Sequence, residues 1–184
     1  MDSLSELKQE LLNHALKFGD FTLASGQKSS YYINCKPVTL SAKGSYLVGE
    51  NLLELIPEDC IAVGGLTLGA DPIVSSITLV SHLKKRPIQG FLVRKEKKDH
   101  GTTSQMENPP PEGSLVTIVD DVITTGGSAL KATEIALASG LKVAVVLCIV
   151  DRSQGGKEAF EKLGIPMRSL FKIQDFLPPD KKGN

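Results

Sequence analysis

The chain has 184 residues, and its 21 lysines and arginines balance 21 aspartates and glutamates, so the formal net charge is zero. This balance gives no global reason to expect nucleic acid or an anionic membrane as a partner, so any anion site must be local. No apolar run reaches membrane-spanning length and the acidic N-terminus lacks the features of a signal peptide, which predicts a single cytoplasmic domain over residues 1–184.

The cysteines and histidines give no pattern of a metal or redox site. Cys35, Cys60 and Cys148 are widely spaced and odd in number, which favours free thiols in a reducing compartment. The three histidines are equally scattered, so no zinc site is predicted.

The sequence predicts helices and strands that alternate along the chain. Leucines at helical spacing predict a first helix from about Ser3, with Ser3 as its cap and Glu6 three positions later. Residues 18–37 place aromatics around a glycine-serine loop, which composition alone interprets as a short hairpin. Further helices are predicted at 41–55, after Ser128 and at 156–163, and strands at 61–66, 87–94, 115–119, 142–150 and 169–173. This order predicts an α/β domain with a mainly parallel central sheet flanked by helices.

Two loops of the predicted domain have unusual compositions. One follows the predicted strand at 61–66 and the other follows the predicted strand at 87–94. The sequence GGLTLGADP (64–72) is a glycine-rich turn in which Asp71 and Pro72 are suited to open the next helix. The stretch RKEKKDHG (94–101) has six formally charged residues in eight and runs into a polar, proline-rich segment. Such a run is usually a solvated loop, although a long loop inside a compact domain is often a lid over a site.

The central stretch LVTIVDDVITTGGS (115–128) joins an apolar strand, an acidic pair, a small-residue loop and a helix start. Glycines allow the backbone to approach a phosphate, and the first amides of a helix attract an anion. Asp120 and Asp121 repel phosphate, and so they should accept hydrogen bonds from ribose hydroxyls or face a cation. Alternatively, the acids start a turn and Ser128 caps a helix. The whole layout favours a sugar phosphate as ligand.

Residues 120–128 resemble the phosphoribosyl pyrophosphate (PRPP) signature of the type I phosphoribosyltransferases, and the resemblance continues from about residue 18 to residue 176. In that family the acids bind the ribose hydroxyls and the loop holds the 5-phosphate. No lysine follows the glycines, so this is not a Walker loop. The resemblance implies a PRPP site formed by Arg94, Lys95, Lys98, His100, Asp120, Asp121, Val122, Ile123, Thr124, Thr125, Gly126, Gly127 and Ser128.

The segment FTLASGQKSSYYIN (21–34) looks like the N-terminal substrate segment of the orotate phosphoribosyltransferase branch. The resemblance implies a hood over about residues 18–40, in which Tyr31 and Tyr32 flank the pyrimidine. Ala24 stands where some members have lysine, which implies that this contact is either absent or moved to Lys28 as a source of charge near the ligand. Arg152, in DRSQGG (151–156), is implied to face the carboxylate-bearing base together with Thr124.

Residues 94–113 are similar to the flexible catalytic lid of the same branch, in which Lys98 and His100, with Asp120 and Asp121, would form the catalytic set. In that family the lid reaches into the neighbouring subunit's site, which implies a homodimer. Asn108 stands at the glycine of the family's usual Ile-Glu-Gly. The turn at 64–72 corresponds to the pyrophosphate loop, without the lysine that several members carry near Gly69.

The implied function is magnesium-dependent transfer of phosphoribose from PRPP to N1 of orotate, giving orotidine 5-phosphate and pyrophosphate in de novo pyrimidine (UMP) synthesis. This makes the chain a pentosyl transferase, with Mg²⁺ bound through PRPP rather than through protein ligands. Three alternatives remain open: a sister-branch enzyme acting on a purine or another base, a PRPP-binding regulator without turnover, and a fragment of a fusion with a decarboxylase. A sister enzyme should lack the paired tyrosines and Arg152, and a regulator should lose the lid cations.

Overall fold

Six strands form the central sheet of the computed structural model, which describes residues 2–22, 28–96 and 105–177. The helices are α1 (Ser3–His14), α2 (Lys36–Thr39), α3 (Ala42–Leu53), α4 (Asp71–Leu83), α5 (Gly127–Ala138) and α6 (Gly156–Glu161). The strands are β1 (Leu16–Thr22), β2 (Lys28–Ile33), β3 (Ala62–Leu66), β4 (Gln89–Val93), β5 (Met106–Glu107), β6 (Leu115–Ile123), β7 (Lys142–Asp151) and β8 (Met167–Lys172).

The sheet has the strand order β5-β4-β3-β6-β7-β8. Neighbouring strands from β4 to β8 run parallel, and β5 is an antiparallel edge strand beside β4. Every residue of β3 is buried, as is the middle of β6 and most of β7. Strands buried on both faces read as continuous apolar runs, and the predicted mainly parallel sheet is confirmed.

Helices cover both faces of this sheet. Alternate residues of β7 point to opposite sides: Leu147 and Ile149 pack with α1, α3 and α4, whereas Val146 and Cys148 pack with α5 and Phe160 of α6. Because parallel strands all end at the same edge, the loops after β3, β4, β6 and β7 are brought to one side of the domain.

The N-terminal hairpin is a separate two-stranded sheet, in which β1 and β2 pair antiparallel with Phe18 opposite Tyr31. The prediction of a hairpin in residues 18–37 is thus confirmed. The three cysteines are buried and free. No helix within the described residues is long and apolar enough to cross a membrane.

Several predicted boundaries differ from the structure. The first helix is capped by Asp2, whose carboxylate accepts from the Ser5 amide, and not by Ser3. Strand β6 continues through the acidic pair to Ile123 instead of ending at residue 119, because β7 extends beside it and pairs Val122 with Val150. Strand β5 lies in a stretch predicted as loop, and the four-residue α2 was not predicted.

Some predicted features fall outside the described residues. These are Ala24, the lid residues Lys98 and His100, and the C-terminal tail at 178–184.

Candidate functional site

Three loops meet at the carboxyl edge of the sheet. The turn after β3 touches the acidic pair: a Cβ built on Gly69 would lie 3.0 Å from Asp120 Oδ1 and 3.1 Å from Asp121 Oδ1. From the other side, the loop after β7 binds the loop after β6, because the Arg152 amide donates to the Ile123 carbonyl (2.8 Å). The Gly156 amide likewise donates to the Thr124 carbonyl (3.1 Å). The predicted pyrophosphate, ribose-phosphate and base loops are therefore contiguous.

The acidic pair is held rigidly at the end of β6. Asp120 is buried and Asp121 is half-buried. The Asp121 amide donates to Asp120 Oδ1 (3.0 Å), and the Val122 amide donates to Asp121 Oδ1 (2.9 Å). Burial, with a further contribution from the neighbouring Asp121 charge, raises the pKa of Asp120 to about 7. The pair is thus a desolvated hydrogen-bonding group in which Asp120 is about half protonated near neutral pH.

The small-residue loop after β6 encloses an open cavity at the start of α5. Gly126 has a φ of 89°, a left-handed conformation that glycine adopts without strain, and it immediately precedes the helix. A Cβ built on Gly127 would meet nothing within 4 Å, so the first turn of α5 faces open space. The cavity of about 230 Å³ is lined by Asp120, Val122, Thr124, Thr125, Gly126, Gly127 and Ser128. Unpaired amides, hydroxyls and the helix dipole make this cavity suitable for a phosphate.

Ile123 belongs to this stretch only through its backbone. Its side chain is 1% exposed and packs in the core, while its carbonyl accepts from Arg152. A ligand in the cavity could therefore meet the main chain of Ile123 but not its side chain.

Tyr31 and Arg152 lie in direct contact. Arg152 Nε donates to the Tyr31 hydroxyl (3.3 Å), and the guanidinium carbon is 5.0 Å from the ring centroid. Tyr32 points to the opposite face of β2, where its ring is 5.8 Å from that of Phe21. The exposed Lys28 follows the same alternation as Tyr32. The structure thus brings together Tyr31 and Arg152, whereas Tyr32 and Lys28 lie on the other face of the strand.

Arg94 and Lys95 follow β4 and lie beside the turn after β3. They share a cavity of about 590 Å³ with Thr67, Leu68, Asp71, Glu96 and Glu107. Arg94 Nη1 is 3.2 Å from Glu107 Oε1, and the Lys95 carbonyl accepts from Lys131 Nζ of α5 (2.6 Å). Arg94 is thus held by its side chain and Lys95 by its backbone, both next to the predicted pyrophosphate loop.

Asn108 lies in the C-terminal part of the predicted lid (94–113). Its φ is 53°, in the left-handed region that asparagine tolerates better than most residues other than glycine. Its side-chain amide donates to the Gly90 carbonyl (2.8 Å), and its own carbonyl accepts from Gln89 Nε2 (2.9 Å). Asparagine can thus fill a position where the family usually has glycine, and it ties this end of the segment to β4.

One residue at the site, Lys36, was not predicted from the sequence. Its Nζ lies 3.4 Å from Asp121 Oδ2, although the two residues are 85 positions apart. The residue opens a four-residue helix with no periodic pattern. Its position just after the hairpin motif was the one sequence feature that could have drawn attention to it.

Comparison with known proteins agrees with this geometry. A family model described as a phosphoribosyl transferase domain matches residues 60–163. The chain is 55% identical to an orotate phosphoribosyltransferase of Thermosynechococcus vestitus over 95% of both chains. An orotate phosphoribosyltransferase of Aquifex aeolicus is 44% identical, with 94% of this chain and 96% of the relative covered. A crystal structure of the Mycobacterium tuberculosis H37Rv orotate phosphoribosyltransferase in complex with PRPP superposes with a TM-score of 0.80, at 34% identity, covering 95% of this chain and 99% of that one.

The fold and the glycine-rich loop at the end of β6 define a type I phosphoribosyltransferase domain, which the family match confirms. Within that class, the relatives that match this chain over nearly their whole length, such as those of Thermosynechococcus vestitus and Aquifex aeolicus, are orotate phosphoribosyltransferases. The chain belongs to the orotate phosphoribosyltransferase family.

Proposed function

We propose that the protein transfers the phosphoribosyl group of PRPP to N1 of orotate, releasing pyrophosphate and forming orotidine 5-phosphate for pyrimidine synthesis. Family membership supports this activity. The observation that carries it in the molecule is the contact between Arg152 and the Ile123 backbone. That contact places the Tyr31–Arg152 pair directly beside the cavity suited to a sugar phosphate. A sister-branch specificity has no comparable support, because the relatives of high identity are orotate enzymes.

PRPP is proposed to lie along the loop after β6. The amides and hydroxyls of Thr124, Thr125, Gly126, Gly127 and Ser128 would bind its 5-phosphate, with Val122 and Ile123 contributing main chain. Asp120 and Asp121 would accept hydrogen bonds from the ribose hydroxyls. The diphosphate would then extend toward the turn after β3, since Gly69 abuts the acidic pair.

Orotate is proposed to bind between the hairpin and the loop after β7. The planar guanidinium of Arg152 suits a carboxylate through paired hydrogen bonds. The ring of Tyr31 can stack against the pyrimidine, and Thr124 would contact the base from the phosphate loop. Roles for Tyr32 and Lys28 would require that the hairpin change conformation, because both lie on its other face.

The difficult step is breaking the bond between ribose C1 and the pyrophosphate oxygen. N1 of orotate is an electron-rich nucleophile and forms the new bond to C1, while the bonding electron pair leaves with pyrophosphate, which also takes up the proton released from N1. Cations near the departing oxygen stabilise the developing charge. Arg94 and Lys95 lie beside the turn after β3, and Lys98 and His100 are proposed to add to them from the lid, whose closure would exclude water.

Magnesium is proposed to enter with PRPP, because Mg²⁺ favours phosphate oxygens and retains several waters. Within residues 2–22, 28–96 and 105–177, no group of three or more histidines, cysteines, aspartates or glutamates could hold a metal ion. The acidic pair offers two carboxylates at the ribose position and fits a shared metal–ligand assembly better than an independent protein site. When bound, Mg²⁺ would neutralise charge on the leaving diphosphate.

We also propose a homodimer in which the lid of one subunit serves the site of its partner, and a cytoplasmic location. The first proposal rests on the family resemblance of residues 94–113. The second is compatible with three buried, free cysteines, which suit a reducing compartment.

The decisive test is the loss of orotate absorbance by the purified protein in the presence of PRPP and magnesium. Adenine, hypoxanthine and uracil serve as parallel substrates. Loss that requires both PRPP and Mg²⁺ and is confined to orotate supports the assignment. Turnover of another base, or none with any base, would contradict it.

A further inference from the structure

The turn after β3 lacks a cation of its own. Residues 64–72, GGLTLGADP, include no lysine or arginine, and the acidic pair that touches Gly69 adds two carboxyl groups beside it. A diphosphate placed here would face carboxylates on one side. Because the turn has no cationic side chain of its own, the charge of a diphosphate here must be balanced by cations from other elements or by cations that enter with the ligand.

Lys36 is held at the junction of this turn and the acidic pair. The fully buried residues Cys35 and Val38 anchor its helical turn, and Asn34 Oδ1 accepts from its amide (3.2 Å). From this fixed backbone, the ammonium group reaches to 3.4 Å from Asp121 Oδ2. Lys36 also lines a cavity of about 390 Å³ with residues of the turn and of α4: Leu68, Asp71, Pro72 and Ser75, together with Leu40. Its side chain thus borders both the acids and the turn.

The contact of Lys36 with Asp121 leaves capacity for a ligand. The lysine side chain is 46% exposed, and an ammonium group has three donors on a flexible stem. Arg94 and Lys95 line a different cavity, which shares Leu68 and Asp71 with the first. The turn is therefore bordered by Lys36 through one cavity and by Arg94 and Lys95 through the other. Cations on two sides of the turn suit a linear polyanion.

We propose that Lys36 binds the diphosphate of PRPP and the product pyrophosphate, supplying the cation that the turn after β3 lacks. The inference rests on the proposed function of the site. On ligand entry the ammonium group keeps its position near Asp121 and donates to a diphosphate oxygen. Because the contact is made with the diphosphate, ligands without that group should not need Lys36.

Ribose 5-phosphate separates this role from simple support of Asp121. It carries the ribose hydroxyls and the 5-phosphate but no diphosphate. Replacing Lys36 by Met should weaken Mg²⁺-pyrophosphate binding, measured by calorimetry, and raise the KM for PRPP about tenfold, the loss expected for one charge-assisted hydrogen bond. Ribose 5-phosphate binding should change less than about twofold. K36Q should repeat the loss, and K36R should recover most of it.

A matched control is Lys43→Met. Lys43 is an exposed lysine of α3 that pairs with Glu6 and Glu10 of α1. This variant should leave all three ligands unaffected. Equal weakening of ribose 5-phosphate and pyrophosphate by K36M would overturn the proposal and make Lys36 a positioning residue for Asp121. Unchanged pyrophosphate binding would also overturn it. Absence of orotate turnover in the unmodified protein would instead refute the proposed function, since pyrophosphate and ribose 5-phosphate binding are measured without turnover.

Discussion

Arg152 Nε donates to the Tyr31 hydroxyl across 121 positions of sequence, joining the N-terminal hairpin to the loop after β7. The guanidinium carbon of Arg152 also lies over the Tyr31 ring, 5.0 Å from the ring centroid. This geometry fixes the plane of the guanidinium group before any ligand enters. A planar, carboxylate-bearing base could therefore meet a preorganised arginine.

Replacing Arg152 by Gln should raise the KM for orotate about 10- to 100-fold, because the charge-assisted pair with the carboxylate is lost. The KM for PRPP should change far less. Tyr31→Phe removes the hydroxyl that orients the arginine and should have a smaller effect in the same direction. Steady-state kinetics with each substrate varied in turn measures both.

Arg168→Gln is a suitable control for that experiment, since Arg168 is an exposed arginine on β8. Its orotate kinetics should match those of the unmodified protein. An unchanged orotate KM in the Arg152 variant would remove that residue from base recognition.

The buried Asp120 should make stability depend on pH. Its pKa rises from an ordinary 3.8 to about 7, so the folded protein holds this proton more tightly than the unfolded chain does. The stabilisation is complete below pH 4 and is lost as pH rises through 7, with a limit of about 4 kcal/mol. Denaturant unfolding of the unmodified protein and D120N should show the variant gaining relative stability between about pH 4 and pH 7.

Asp59→Asn provides the comparison, because Asp59 is exposed. Its pH profile should run parallel to that of the unmodified protein. A parallel profile for D120N as well would mean that Asp120 titrates as an ordinary carboxyl in the folded state.

Arg86 stabilises the end of α3 from outside the site. Its guanidinium donates to the carbonyls of Leu53 (3.2 Å), Ile56 (2.9 Å) and Pro57 (2.7 Å). Leu53 is the last residue of α3, and Ile56 and Pro57 lie in the turn that follows it, so Arg86 ties the helix end to this turn. Arg86→Met should lower the free energy of unfolding by about 2–4 kcal/mol without changing either KM. Chemical denaturation with Arg168→Met as the exposed counterpart tests this, and equal stability of the two variants would contradict it.

Much of the fold could be predicted because its strands are apolar on both faces. The predicted strand at 142–150 matches β7 to within one residue. The extension of β6 past the acids could not be read locally, since two aspartates disfavour a strand. Their placement is stabilised by β7, which pairs with Asp120, Val122 and Ile123.

The site likewise contains residues that a local motif predicts and residues that only the fold brings there. The loop at 124–128 carries a local signature, and its cavity is where the signature predicts one. Lys36 carries no such signature, because its relation to Asp121 arises from tertiary packing, in which α2 contacts α1 and α3. Successive side chains of β2 point to opposite faces, so Tyr31 and Tyr32 lie on different sides of the strand. The paired-tyrosine motif alone does not predict this separation.

The lid chemistry can be tested through Lys98, which lies outside the described residues. Lys98→Ala should lower kcat on the order of 100-fold, the loss typical of one group that stabilises transition-state charge, and it should affect PRPP affinity much less. Lys97→Ala in the same stretch serves as the control. Equal turnover of the Lys98 variant and the unmodified protein would remove Lys98 from the mechanism.

Subunit mixing then tests whether the lid acts on the partner's site. If it does, a dimer of one K98A subunit and one D121N subunit has one site with both defects and one site with none. Random exchange makes about half of the dimers mixed, which restores roughly a quarter of the unmodified activity. If each lid serves its own subunit, every site retains one defect, and mixing restores nothing once exchange has been verified by differential tagging.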